Sequence, residues 1–126
     1  MIVMHNMGKL GEDMAGEHYE ALGFKIVDRN YKVHYGRQTG EIDLVAVKDK
    51  QLVFVEVKLR RTSRFGGPFE AVDQGKQQRL VKTAKLYVSQ NPQYRDFGIR
   101  IDVAAVDIDN SQTPVIILAN AIEDLD

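Results

Sequence analysis

The chain has 126 residues, 44% of them apolar and 28% charged, with a formal net charge of −1 and no cysteine. That length and composition predict one soluble domain with a buried core, residues 1–126, and exclude disulfides and thiolate chemistry. No apolar run approaches the roughly 18 residues of a membrane span, and no basic region followed by an apolar stretch opens the chain, so a cytoplasmic protein is expected.

Residues 1–6 read as a short tail. From about Lys9 to Leu22, apolar Leu10, Met14, Tyr19 and Leu22 recur at helical spacing, and Gly23 is a good stop. Glu12, Glu17 and Glu20 lie on this helix. Phe24–Val27 and Tyr31–Tyr35 read as one interrupted strand or two short ones, and Arg37-Gln38-Thr39-Gly40 as a loop entering the next strand.

Gly40 to Lys58 is the most informative stretch. Two arms rich in Val, Ile, Leu and Phe flank the polar break Lys48-Asp49-Lys50-Gln51, which predicts a β-hairpin. With a two-residue loop, Asp49-Lys50, facing residue numbers sum to 99. Asp43 then faces Glu56, and Glu41 faces Lys58. Side chains alternate along a strand. Glu41, Asp43, Val45 and Val47 should therefore share a face with Leu52, Phe54, Glu56 and Lys58. Ile42, Leu44, Ala46, Val53, Val55 and Val57 should form an apolar, buried face. Like charges directly opposite destabilise a strand pair, and a divalent cation between Asp43 and Glu56 would remove that cost. Hard cations such as Mg²⁺ prefer carboxylate oxygens. Lys58 is placed to hold or polarise a water, or to neutralise a phosphate.

After Lys58, the run from Arg60 to Pro68 contains Arg60, Arg61 and Arg64 among Ser, Gly and Pro, which predicts a basic loop able to contact phosphates. A second helix is expected from Gln74 to Ser89, with Leu80, Ala84, Tyr87 and Val88 as its buried stripe. The net charge of −1 gives no global push towards nucleic acid, but it is unevenly distributed: residues 58–85 carry eight basic and two acidic residues, a local charge of +6. Asn91-Pro92 ends the helix. Gly98–Ile108 reads as a third core strand, on which Asp102 either supports the site or is a sheet-edge charge. Val115–Leu118 reads as a short last strand, and residues 119–126 as a tail, acidic from Glu123 to Asp126.

An acidic residue, a hairpin and then Glu-x-Lys, carried by Asp43, Glu56 and Lys58, resembles the PD-(D/E)-x-K nuclease superfamily of restriction endonucleases and archaeal Holliday-junction resolvases. Within it the chain is most similar to the YraN-like family of predicted endonucleases. The resemblance rests on Gly40-Glu-Ile-Asp-Leu-Val-Ala, Val53-Phe-Val-Glu-Val-Lys, Arg60-Arg61, Phe65-Gly66, Glu70-Ala71-Val72 and Lys76-Gln77, and covers roughly residues 8–107. Ile42 stands where the superfamily label has proline.

The resemblance implies an α/β, restriction-endonuclease-like three-layer core, with a mixed four- to five-stranded sheet flanked by helices. It implies a Mg²⁺- or Mn²⁺-dependent endonuclease acting on DNA, branched or junction DNA included, in repair or recombination. Asp43 and Glu56 would bind metal, with Glu12 as a third ligand by its place before Gly23-Phe24. Lys58 would orient or activate water, Lys76 and Gln77 would lie near it or on nucleic acid, and Glu41 and Asp102 would be secondary. Junction resolution needs two symmetric sites, so a homodimer is a compatible assembly. The alternatives are a non-catalytic nucleic-acid-binding or partner-binding module with the same fold, and a structural protein in which Glu41 and Lys58 form a cross-strand ion pair.

Overall fold

The structure, a computed structural model, describes residues 4–60 and 74–122. Its elements are helix α1 (Met4–Ala21), strands β1 (Lys25–Tyr35), β2 (Gln38–Lys48) and β3 (Gln51–Arg60), helix α2 (Gln74–Gln90), a 3-10 turn (Pro92–Tyr94), and strands β4 (Gly98–Asp107) and β5 (Val115–Ile122). The sheet order is β1-β2-β3-β4-β5. Only β3 and β4 run parallel, with α2 in the crossover between them. This is an α/β fold with a mixed five-stranded sheet, consistent with the restriction-endonuclease-like core.

The period-2 pattern of the central strands sorts the core into two layers. Val45, Leu52, Phe54, Ile101 and Val103 pack with Leu80, Ala84 and Tyr87 of α2. Leu44, Ala46, Val53, Val55, Ala104 and Val106 pack with Ala15 and Tyr19 of α1. The hairpin has the expected register from Lys48↔Gln51 to Leu44↔Val55, closed by a two-residue turn with Asp49 at φ 50°.

Alternation fails at one point. Ile42 was expected beside Leu44 and Ala46, yet it packs with Val45, Phe54 and Leu80 on the α2 side. The strand therefore changes parity at Asp43. Asn30 of β1 lies between the rungs Arg29↔Leu44 and Tyr31↔Ile42 and has φ 52°, so the irregular backbone of β1 stands at the level where β2 changes parity.

Several boundaries differ from expectation. Helix α1 starts at Met4, not Lys9, so residues 4–6 are helical rather than a tail. It has no acidic residue in its first turn to mark that start. It ends in a Schellman-type closure: Phe24 N–H donates to Tyr19 C=O at 3.0 Å, Gly23 N–H to Glu20 C=O at 3.0 Å, and Gly23 has φ 95°. Its buried side is Gly11, Ala15 and Tyr19, whereas Leu22 is 50% exposed. Strand β1 is continuous, with its irregularity between Ile26 and Asp28. Gln38, Thr39 and Gly40 belong to β2, not to a loop, because β1 and β2 pair as far as Tyr35↔Gln38. Strand β5 runs to Ile122, so residues 119–122 are sheet rather than tail. Among the described residues no helix is long and apolar enough to cross a membrane.

Candidate functional site

The site forms where β2 leaves β3. Their ladder stops at Leu44↔Val55. Asp43 and Glu56 were expected as the next facing pair, and Glu41 and Lys58 as the pair after that; neither is a rung. Instead the Val57 N–H donates to Asp43 Oδ2 at 2.7 Å. A side-chain carboxylate takes over the hydrogen bond that a strand carbonyl would have accepted. The strands splay around it and open a crevice of about 160 Å³ lined by Asp43, Glu56, Lys76, Arg79 and their neighbours.

Glu56 is 7% exposed on β3. Lys76, in the first turn of α2, brings Nζ to 2.6 Å from Glu56 Oε1. Lys58 Nζ lies 3.7 Å from the same oxygen. Burial, then the Glu56 charge, push the Asp43 carboxyl up to about 7; the Val57 N–H opposes them, and Glu12 and Glu41 add to the rise. Burial and the adjacent Lys76 ammonium lower the Lys58 pKa. Burial would also lower that of Lys76, but its hydrogen bonds to Glu56 and Lys58 and the carboxylate charges raise it on balance.

The other sequence candidates divide. Glu12 lies on α1, where the Asn30 amide, turned with its nitrogen toward the helix, reaches the two carboxylate oxygens at 3.0 and 3.3 Å. Burial raises its pKa, and Asn30 opposes that rise. Among the described residues no three His, Cys, Asp or Glu side chains form a metal-ligand group, and the link from Glu12 to the crevice is its charge, which adds to the rise of Asp43. Glu41 borders the crevice but pairs with Lys32 of β1, away from Lys58.

Asp102 is neither at the crevice nor at a sheet edge. It is fully buried in β4, taking hydrogen bonds from Tyr19 Oη at 2.8 Å, Arg100 Nε at 2.9 Å and Asn120 N at 2.8 Å. Gln77 faces a separate groove along α2 with Gln74, Gln78, Lys82 and Lys85. Arg60 ends β3 opposite Asp107. Arg61 and Arg64, with Phe65-Gly66 and Glu70-Ala71-Val72, lie outside the described residues.

Sequence reasoning missed Gly40, Arg79 and Thr83. A Cβ on Gly40 would collide with Thr83 Oγ1 and stand 3.1 Å from Thr83 Cβ and Cγ2. Glycine here lets α2 sit directly on β2, which brings Lys76 over the carboxylates. A glycine at the head of the strand arm was the available signal of a close approach.

Three hard carboxylates, Glu41, Asp43 and Glu56, line the crevice with no sulfur or imidazole donor among the lining residues, a set that fits Mg²⁺ or Mn²⁺ by donor type. The rise of Asp43 against the Glu56 charge is the repulsion a cation would relieve.

The model of "Uncharacterised protein family UPF0102" matches residues 11–106. The chain is 46% identical over 100 residues to a UPF0102 protein of Dictyoglomus turgidum, covering 79% of this chain and 80% of that one. It is 38% identical over 115 residues to a UPF0102 protein of Syntrophomonas wolfei, covering 91% and 96%. To the UPF0102 protein RSal33209_1090 of Renibacterium salmoninarum it is 43% identical over 108 residues, covering 86% and 87%.

Proposed function

The chain belongs to the uncharacterised protein family UPF0102, the YraN-like family its motifs resemble, and from the geometry of its crevice we propose that it is a Mg²⁺- or Mn²⁺-dependent endonuclease cutting phosphodiester bonds in DNA. One observation carries the reading. Asp43 and Glu56 share a crevice in which burial and the Glu56 charge push the Asp43 carboxyl up, with two lysine amines beside them. A structural role alone gives no reason to hold like charges together, whereas a metal-assisted hydrolase needs them.

In this reading Asp43 and Glu56 hold the cation, with Glu12 adding negative charge from α1. The bound metal supplies an acidified water and charge stabilisation at the phosphate. Lys58, whose Nζ lies 3.7 Å from Glu56 Oε1, would orient the attacking water. Arg60, Arg61 and Arg64, with the basic residues of α2, hold the nucleic-acid backbone through salt-sensitive contacts. Branched or junction DNA, processed in cytoplasmic repair or recombination, is the proposed substrate, and a homodimer the proposed assembly for junctions.

The test is a panel of labelled branched, single-stranded and duplex DNAs and RNA, incubated with Mg²⁺ or Mn²⁺. Cleavage of at least one DNA is expected, lost in chelator and in Asp43→Asn or Glu56→Gln. DNA binding without cleavage under either metal would favour the non-catalytic module instead.

A further inference from the structure

We propose that Lys76 is the resident counter-ion of the metal site, an ammonium that holds Glu56 in the metal-free protein and must be displaced when a divalent cation binds. The inference rests on the nuclease reading and adds how the site is loaded. Lys76 Nζ is 2.6 Å from Glu56 Oε1, a full charge-assisted contact, whereas Lys58 Nζ, on the same strand as Glu56, is 3.7 Å away. The closer cation thus arrives from another element. A divalent ion binds carboxylate oxygen at about 2.0–2.1 Å. An ammonium left on that oxygen would meet the dication at close range in a partly buried crevice, where screening is weak. The two cations therefore compete for Glu56.

The arrangement lets one leave without moving the helix. Helix α2 is anchored by buried Leu80, Thr83, Ala84 and Tyr87 and by the Gly40–Thr83 approach. Lys76 lies before that anchor, in the first turn, and reaches the crevice on a flexible four-carbon stem. Its displaced ammonium stays beside the crevice, positioned for an incoming phosphate. A phosphate that draws Lys76 off Glu56 favours metal entry, and by reciprocity bound metal favours the phosphate. Metal and nucleic acid would load the site together.

The experiment is Mn²⁺ titration by calorimetry without nucleic acid, on wild type and on Lys76→Met, which keeps the stem and removes the charge. Lys76→Gln serves as a second variant should the first fail to fold. Tighter Mn²⁺ binding by the variant is expected, by about 5-fold or more, the lower range of typical coupling between sites. Equal or weaker binding overturns the displacement while leaving the nuclease reading standing. Absence of Mn²⁺ binding in both proteins overturns the displacement and the metal-dependent reading together.

Discussion

The Val57 amide donates to Asp43 Oδ2 at 2.7 Å, so a carboxylate splits the hairpin at the level where the ladder ends. The same carboxyl is pushed up to about 7, first by burial and then by Glu56. Its folded-state pKa thus lies above the ordinary 3.8, and the folded state holds this proton more tightly. Stability in chelator should therefore fall as pH rises from about 4 to about 7, by up to ~1.4 kcal/mol per pH unit from this group. Asp43→Asn keeps an acceptor for Val57 and removes the titration. Urea midpoints at pH 4 to 8 would test this: the variant should lack that part of the slope, and identical slopes would refute the assignment.

Glu56→Gln has two opposed effects on the metal-free protein. It relieves the repulsion with Asp43 and gives up the ion pair with the partly exposed Lys76. The net change in chelator should stay within about 1 kcal/mol. Metal-dependent cleavage should disappear. Wild type should gain thermal stability in millimolar Mn²⁺, because a ligand bound by the folded state stabilises it, and the variant should lose most of that gain. Four melting curves, each protein with chelator and with Mn²⁺, decide it; an equal metal shift in both would make Glu56 merely structural.

How much of this was legible in the sequence depends on the range of each interaction. The hairpin register down to Leu44↔Val55 follows from a local turn and local alternation, and was readable. The fork was not, because it depends on one side chain replacing a backbone carbonyl, and alternation carries no sign of that. The pairing of Lys76 with Glu56 needs α2 to return over β2, which Gly40 and Thr83 make possible from opposite sides of the chain. Asp102 resembled a site carboxylate because its partners Tyr19 and Asn120 are distant in sequence. The α2 stripe of Leu80, Ala84 and Tyr87 was legible from its period, whereas buried Thr83 was hidden by its hydroxyl, which donates to Arg79 C=O at 2.7 Å.

Gly40→Ala should lift α2 from β2, costing roughly 1–3 kcal/mol of stability as an overpacking change. Metal-dependent activity should fall with it, because Lys76 and Arg79 move too. Thr83→Ala in the same chain should recover part of the loss. A double-mutant cycle on denaturant midpoints measures the coupling; strictly additive effects would mean that the two residues do not meet.

Replacing Arg60, Arg61 and Arg64 together by Ala should weaken DNA binding and flatten its dependence on salt, by up to about three phosphate contacts. Mn²⁺ affinity should barely change. Binding isotherms across a salt series read this directly, and an unaltered slope would remove these arginines from the interface.

Lys58, near the end of β3, and Lys76, in the first turn of α2, flank the β3–α2 connection, and both bring Nζ toward the same oxygen of Glu56. The two ends of the connection therefore meet at one point. Closing such a loop depends only weakly on its length, about 0.6 kcal/mol for each doubling. The length of the connection can then vary at little cost while Lys58, Lys76 and Glu56 keep their places.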